Sequence, residues 1–159
     1  MDNSQSVSQR ARDARALLQS RGFGVLCTQS KRAPGYPFGS IVNFALDDTG
    51  RPIFVLSGLA VHTKNLQEDS RASLVAYGEG AETDVLGTAR MTAMGDIHPV
   101  LETELSAARN AFFARHPGAE PYMGFADFAV YRMEVMDVYY VGGFGMMGWV
   151  MAADYRAAR

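Results

Sequence analysis

The sequence predicts a mainly β domain, an antiparallel barrel of about six strands with flanking helices. Three observations predict it. Extended runs at residues 23–28, 39–46 and 52–57 are joined only by turn-rich segments, Pro34-Gly35-Tyr36-Pro37 and Asp47-Asp48-Thr49-Gly50, which suit hairpins and leave no room for crossover helices. The second run is apolar on both faces, Ser40, Val42, Phe44 and Leu46 against Ile41, Asn43 and Ala45, as in a strand covered on both sides. The two long helical patterns stand outside this block, one before residue 23 and one after Pro99.

In chain order, Val7, Ala11, Ala14 and Leu18 recur at helical spacing opposite Arg10, Arg12, Asp13 and Arg15, which gives a packing helix over residues 6–20 that stops near Gly22. After the three runs comes a short helical pattern at 66–69, then strands at 72–77 and 85–94. In the latter, Arg90 shares a face with Thr88 and Thr92. Leu101, Leu105, Ala108 and Phe112 form the stripe of a second long helix, ended by His116-Pro117-Gly118. Strands at 128–135 and 138–141 lead into a glycine-rich bend and Trp149, the only tryptophan. No repeat or linker divides the chain, so residues 1–159 read as one domain with its barrel over residues 23–151.

With 15 basic and 17 acidic residues, the chain has no global field to gather nucleic acid or an anionic membrane. A small phosphate-bearing molecule fits better. Cys27 is the only cysteine, which leaves no disulfide framework or thiolate metal cluster and predicts a reducing compartment. No apolar run has the length of a signal core or a membrane span, and the expectation is a cytoplasmic protein. Cys27, within an apolar strand, reads as an inert core residue.

The stretch Ser57-Gly58-Leu59-Ala60-Val61-His62-Thr63-Lys64-Asn65 runs from a strand into a helix start, where unpaired backbone amides attract anions. Ser57, His62, Thr63, Lys64 and Asn65 add side-chain donors there, enough to cradle one phosphate. The alternative is that Thr63 caps the helix while His62 and Lys64 face solvent. Arg90 either meets an anion or pairs with Asp96, Glu79 or Glu82. His98, before Pro99, reads as a capping or surface residue at a helix start.

Five pieces in order carry a family resemblance: Tyr36-Pro37-Phe38-Gly39-Ser40-Ile41-Val42-Asn43-Phe44-Ala45; Leu56-Ser57 with His62-Thr63-Lys64-Asn65-Leu66; Arg71-Ala72-Ser73-Leu74; Gly87-Thr88-Ala89-Arg90; and Val141-Gly142-Gly143-Phe144-Gly145. The chain resembles the pyridoxamine 5'-phosphate oxidase-related FMN-binding split barrels, especially their haem-utilisation branch. The resemblance implies a six-stranded split barrel that forms a homodimer with a cofactor cleft at the interface. It further implies that Ser40, Ile41, Val42 and Asn43 run along the flavin ring, and that Ser57, His62, Thr63, Lys64 and Asn65 hold the phosphate. Arg90 would add charge, and Trp149 would approach the ring, in competition with a role as a core or interface anchor. Asn43 has its own alternative, satisfying backbone groups at a strand bend.

The implied function is a flavin-dependent oxidoreductase acting on an unidentified small molecule, with the chemistry supplied by FMN. One alternative is a haem-binding or haem-degrading protein. Another is a non-catalytic dimeric module whose cleft is filled by Phe38 and Phe44. Two departures narrow the choice. The C-terminal segment, residues 146–159, has only Arg156 and Arg159 in a short polar tail and lacks the tryptophan- and arginine-rich closing pattern of the oxidase, which weighs against pyridoxamine phosphate oxidation. No histidine follows His116, so haem would need an axial ligand other than the C-terminal histidine of haem-degrading relatives, from among His62, His98, His116 and methionines such as Met146 and Met147. Those two methionines otherwise fill gaps beside the glycine-rich bend.

Overall fold

A computed structural model describes residues 3–143 and 145–158, with the side chains of residues 3–7 and Met123 left out. Phe144 and Arg159 lie outside the described residues, as does the side chain of Val7. The chain runs α1 (Asn3–Ser20), β1 (Phe23–Gln29), β2 (Pro37–Asn43), β3 (Ala45–Leu46), β4 (Pro52–Ser57), α2 (Val61–Glu68), β5 (Arg71–Tyr77) and β6 (Arg90–Pro99). It continues with α3 (Glu102–Arg115), a 3-10 segment (Pro117–Gly124), β7 (Phe128–Val141), β8 (Met147–Met151) and α4 (Ala152–Ala157).

Every strand pair is antiparallel, in the order β2-β1-β5-β6-β7-β4-β3, with β8 pairing the far half of β7. Only Phe44 separates β2 from β3, so one chain segment supplies both ends of this order and curls the sheet into a split barrel. Phe44 is the corner. Its amide donates to the Gly22 carbonyl at 2.9 Å, its carbonyl accepts from His116 Nε2 at 2.8 Å, and its ring is fully buried in the core. With both backbone groups satisfied elsewhere, the run expected as one strand breaks into two.

The barrel interior alternates as the period of two requires: Leu26 on β1, Leu74 and Ala76 on β5, Met91, Ala93 and Ile97 on β6, Met133 and Val138 on β7. Ala11, Ala14 and Leu18 of α1 close one side of this core together with Tyr155 of α4. A second cluster joins Ala108 and Phe112 of α3 to Ala45, Ile53 and Val130, so β4 is covered on both faces. β2 is not: Ile41 is 78 % exposed and Asn43 is exposed.

Several boundaries move from their expected positions. Residues 85–89 form a turn, not the start of β6, because Asp84 accepts from the Gly87 amide at 2.8 Å through its side chain and from Thr88 Oγ1 at 2.6 Å through its carbonyl. The two strands expected at 128–135 and 138–141 are one, interrupted only by a bulge opposite Met94 and Gly95 that leaves Met136 unpaired. A Cβ on Gly95 would stand 2.1 Å from the Glu134 carbonyl oxygen, so the bulge requires glycine there. α2 starts at Val61, five residues earlier than expected, and the 3-10 segment, β8 and α4 are additions to the expected set. Cys27 lies on the outer face of the sheet, opposite Gly39 and Ser73, and is partly exposed; it is not a core residue. His98 sits exposed near the end of β6 across from Arg132, not at a helix start. Among the described residues no helix is long and apolar enough to cross a membrane.

Candidate functional site

A cleft of about 300 Å³ opens where the end of β2, the end of β4, the start of α2, α3 and the 3-10 segment meet. Five of the eleven residues expected in a cofactor site line it: Ile41, Val42, Asn43, Ser57 and His62. Val55, Leu56, Ala60, Phe112, Ala119, Tyr122 and Phe128 complete the wall. Of these, Phe112 was readable only as a core position of the α3 stripe. Ala119 and Tyr122 stand on a 3-10 turn after His116-Pro117-Gly118, a sequence that signals the end of a helix and nothing beyond it.

The wall is mostly apolar and aromatic. The rings of Tyr122 and Phe128 stack with centroids 6.0 Å apart, and Phe125 leans on Phe128 at 6.3 Å. Tyr122 and Phe125 remain 53 % and 58 % exposed, large apolar surfaces at the cleft mouth. The polar side chains of the lining are few. Ser57 is occupied: its hydroxyl donates to Asp127 Oδ2 at 2.5 Å and accepts from the Leu59 amide at 3.1 Å, while the Gly58 amide reaches the Asp127 carbonyl at 2.6 Å. Ser57 therefore braces the β4–α2 turn. His62 is half-buried, and burial lowers its pKa below the ordinary histidine value, which keeps the imidazole neutral at pH 7. Among the described residues neither of its ring nitrogens has a hydrogen-bond partner.

The remaining expected residues are placed differently. Because α2 begins at Val61, Thr63 and Asn65 are helical and buried, 0 % and 1 % exposed. Asn65 donates to Thr28 Oγ1 at 2.9 Å and accepts from the Lys31 amide at 2.9 Å, which ties α2 to the end of β1. Thr63 is not the helix cap; Ala60 occupies that position with no side-chain hydrogen bond, and Thr63 Oγ1 is buried without a partner among the described residues. Lys64 is exposed on α2, and Ser40 is half-buried on β2, outside the cleft lining. Arg90 pairs with none of the acidic residues considered for it; its Nη1 donates to the carbonyls of Val85, Leu86 and Thr88 at 3.0, 3.4 and 3.3 Å. Trp149, 55 % exposed on β8, meets Tyr139 edge-on at 5.0 Å. Phe38 and Phe44 are absent from the cleft lining, so neither fills the cleft.

Among the described residues no group of three or more His, Cys, Asp or Glu side chains is placed to hold a metal ion by itself. What the site offers is a mostly apolar, aromatic-lined cleft with one neutral imidazole in its wall. That suits a largely apolar ligand with a few polar groups better than a small charged substrate.

Comparison with known proteins supplies the family. The family model described as CREG, beta-barrel, matches residues 5–157. The non-canonical heme oxygenase HOZ of Arabidopsis thaliana is 37 % identical over 151 residues, which cover 92 % of this chain and 46 % of the plant protein. The chain thus spans about half the length of that relative. The structure of a heme binding protein from Mycobacterium smegmatis superposes with a TM-score of 0.88 at 35 % identity, covering 94 % of this chain and 61 % of the other. A general stress protein 26-related protein of the pyridoxine phosphate oxidase family, from Clostridium acetobutylicum, shares the fold with a TM-score of 0.70 at 10 % identity, over 93 % of this chain and 98 % of its own. A match that runs through every strand and both long helices decides the matter: the chain belongs to the CREG β-barrel family and shares its fold with a protein of the pyridoxine phosphate oxidase family.

Proposed function

We propose that the chain binds haem in the cleft between β2, β4, α2 and the 3-10 segment, and that it does so as a homodimer. The observation that carries the reading is the cleft wall, in which Phe112, Tyr122 and Phe128 face a space with few polar groups. Similarity to a mycobacterial heme binding protein and to a plant heme oxygenase supports the same ligand. Oxidative opening of the ring, with dioxygen as oxidant and an external electron donor as reductant, extends the proposal to the activity in the plant relative's name. Bound haem would supply the iron and the oxidisable ring. This chain's part is to shield one side of the ring from water with the three aromatic residues, and to offer the exposed Lys64 ammonium to a propionate.

Two features support the homodimer, the size of the cleft and the state of the sheet. A tetrapyrrole exceeds about 300 Å³, so part of it would lie beyond one chain's cleft, over the open edge strand β2. The outer face carries a row across six strands, Ile41, Val25, Val75, Thr92, Tyr139 and Trp149, all at least partly exposed. A second copy laid on this row would cover it. Arg90 shares the same face, so pairing is also the arrangement that would bring Arg90 and Trp149 toward the other copy's cleft.

FMN in the same cleft is the second reading, and one observation favours it. The N-terminus of α2 has no side-chain cap, which leaves first-turn amides for a phosphate beside Lys64. Parallel titrations of the purified protein with haem and with FMN, followed by sedimentation of each mixture, test both. A Soret band at one haem per chain in a sedimenting dimer is the expected result. FMN uptake without a Soret band transfers the proposal to the second reading, and silence with both ligands overturns the two together.

A further inference from the structure

From the position of His62 in the cleft we infer that its imidazole is the axial ligand of the haem iron, a role that rests on the haem reading above. Geometry supports it by elimination among the histidines and the methionines beside the glycine-rich bend. Of the three histidines, His116 is spent at the barrel corner, where its Nε2 holds the Phe44 carbonyl at 2.8 Å and its ring lies against Phe112 with centroids 4.8 Å apart. His98 is exposed near the end of β6 and does not line the cleft. Met146 and Met147, 45 % and 54 % exposed around the start of β8, do not line it either.

His62 is the histidine that does, and α2 holds it in place. The helix is anchored beneath by Asn65 to Thr28 and Lys31, and by Leu66, 5 % exposed in the main core. The ring thus stands on a fixed element, in the first turn, at the edge of an aromatic slot. Its nitrogens have no competing partner among the described residues, and no carboxylate belongs to the cleft lining. A protein ligand to haem iron needs those features: a lone pair free of other bonds, a rigid support and an apolar surround for the ring.

The test is ferric haem titrated into the full chain and into three variants, His62→Ala, His62→Gln and His98→Ala, with each fold checked by circular dichroism. Absorbance gives the Soret position and affinity, and electron paramagnetic resonance gives the ligand field. His62→Ala and His62→Gln are expected to lose the histidine-ligated signature and to bind haem about tenfold or more weakly, and free imidazole is expected to restore the signature to His62→Ala. His98→Ala should match the unaltered chain. If both His62 variants keep the unaltered Soret band and resonance, the iron has another ligand and this inference falls while haem binding stands. If the unaltered chain takes up no haem, the haem reading falls and carries the inference with it. Gln preserves side-chain bulk, so a variant that folds remains available should the Ala variant fail.

Discussion

The two ends of β4 are built on opposite principles. At its start, the turn Asp47–Arg51 is locked by polar contacts made within the chain. Arg15, 9 % exposed, donates to the Thr49 carbonyl at 2.7 Å, and the buried Tyr155 hydroxyl donates to the Gly50 carbonyl at 2.8 Å. Asp47 accepts from Thr49 and Arg51; burial pushes its carboxyl up, but those hydrogen bonds outweigh it and hold the group below the usual carboxylate range. Arg51 and Arg132 bind Glu104 and Glu134 beside it. At the other end, past Ser57, the strand opens on a cleft whose aromatic rings and imidazole have room in front of them. One end uses its polar groups to hold α1, α4 and a hairpin together. The other leaves the half-buried His62 imidazole available to a ligand.

The comparison predicts that changes at the turn act on stability and changes at the cleft act on binding. The largest effect is expected for Gly50→Ala. Gly50 has φ of 86°, and an added Cβ would stand 1.5 Å from Arg15 Nη1, so the substitution strains the turn and displaces the guanidinium at once. A loss of about 2 to 4 kcal/mol in urea unfolding is expected, with haem uptake per folded chain unchanged. Equal loss of uptake would mean that the two ends of β4 are coupled. Tyr155→Phe removes one buried hydroxyl and leaves the ring, so about 1 kcal/mol is expected from the same unfolding measurement. Smallest in stability is Lys64→Ala, an exposed helix position, within about 0.5 kcal/mol of the unaltered chain. Ligand titration should nonetheless show weaker binding for it; unchanged affinity would remove Lys64 from the site.

The cleft was partly readable before the structure. Ile41, Val42 and Asn43 stand at the strand end where the motif put them, and Ser57 and His62 face them across the cleft. Thr63 and Asn65 neighbour these in the chain but not in the cleft. Once the helix starts at Val61, a rotation of about 100° per residue turns them inward, where Asn65 becomes an anchor of α2. The start was misplaced because Ala60 carries no capping side chain to announce it. The alternation over residues 85–89 likewise imitates a strand, while Asp84 bends that segment into a turn whose carbonyls Arg90 binds.

What the sequence determined by itself is whatever depends on near neighbours: hairpin connections without crossover helices, the period of two along each strand, the stripes of α1 and α3. Those set the antiparallel barrel. The tertiary structure decided what depends on distant ones. That Phe44 turns a corner because Gly22 and His116 take its backbone groups, that Tyr155 locks a turn 105 positions earlier, and that a 3-10 segment brings Tyr122 into the same cleft as His62 all rest on the meeting of remote parts of the chain. Local pattern encodes which face of an element is apolar. Which element meets that face, and which polar group is left without a partner, is settled only when the whole sheet has closed.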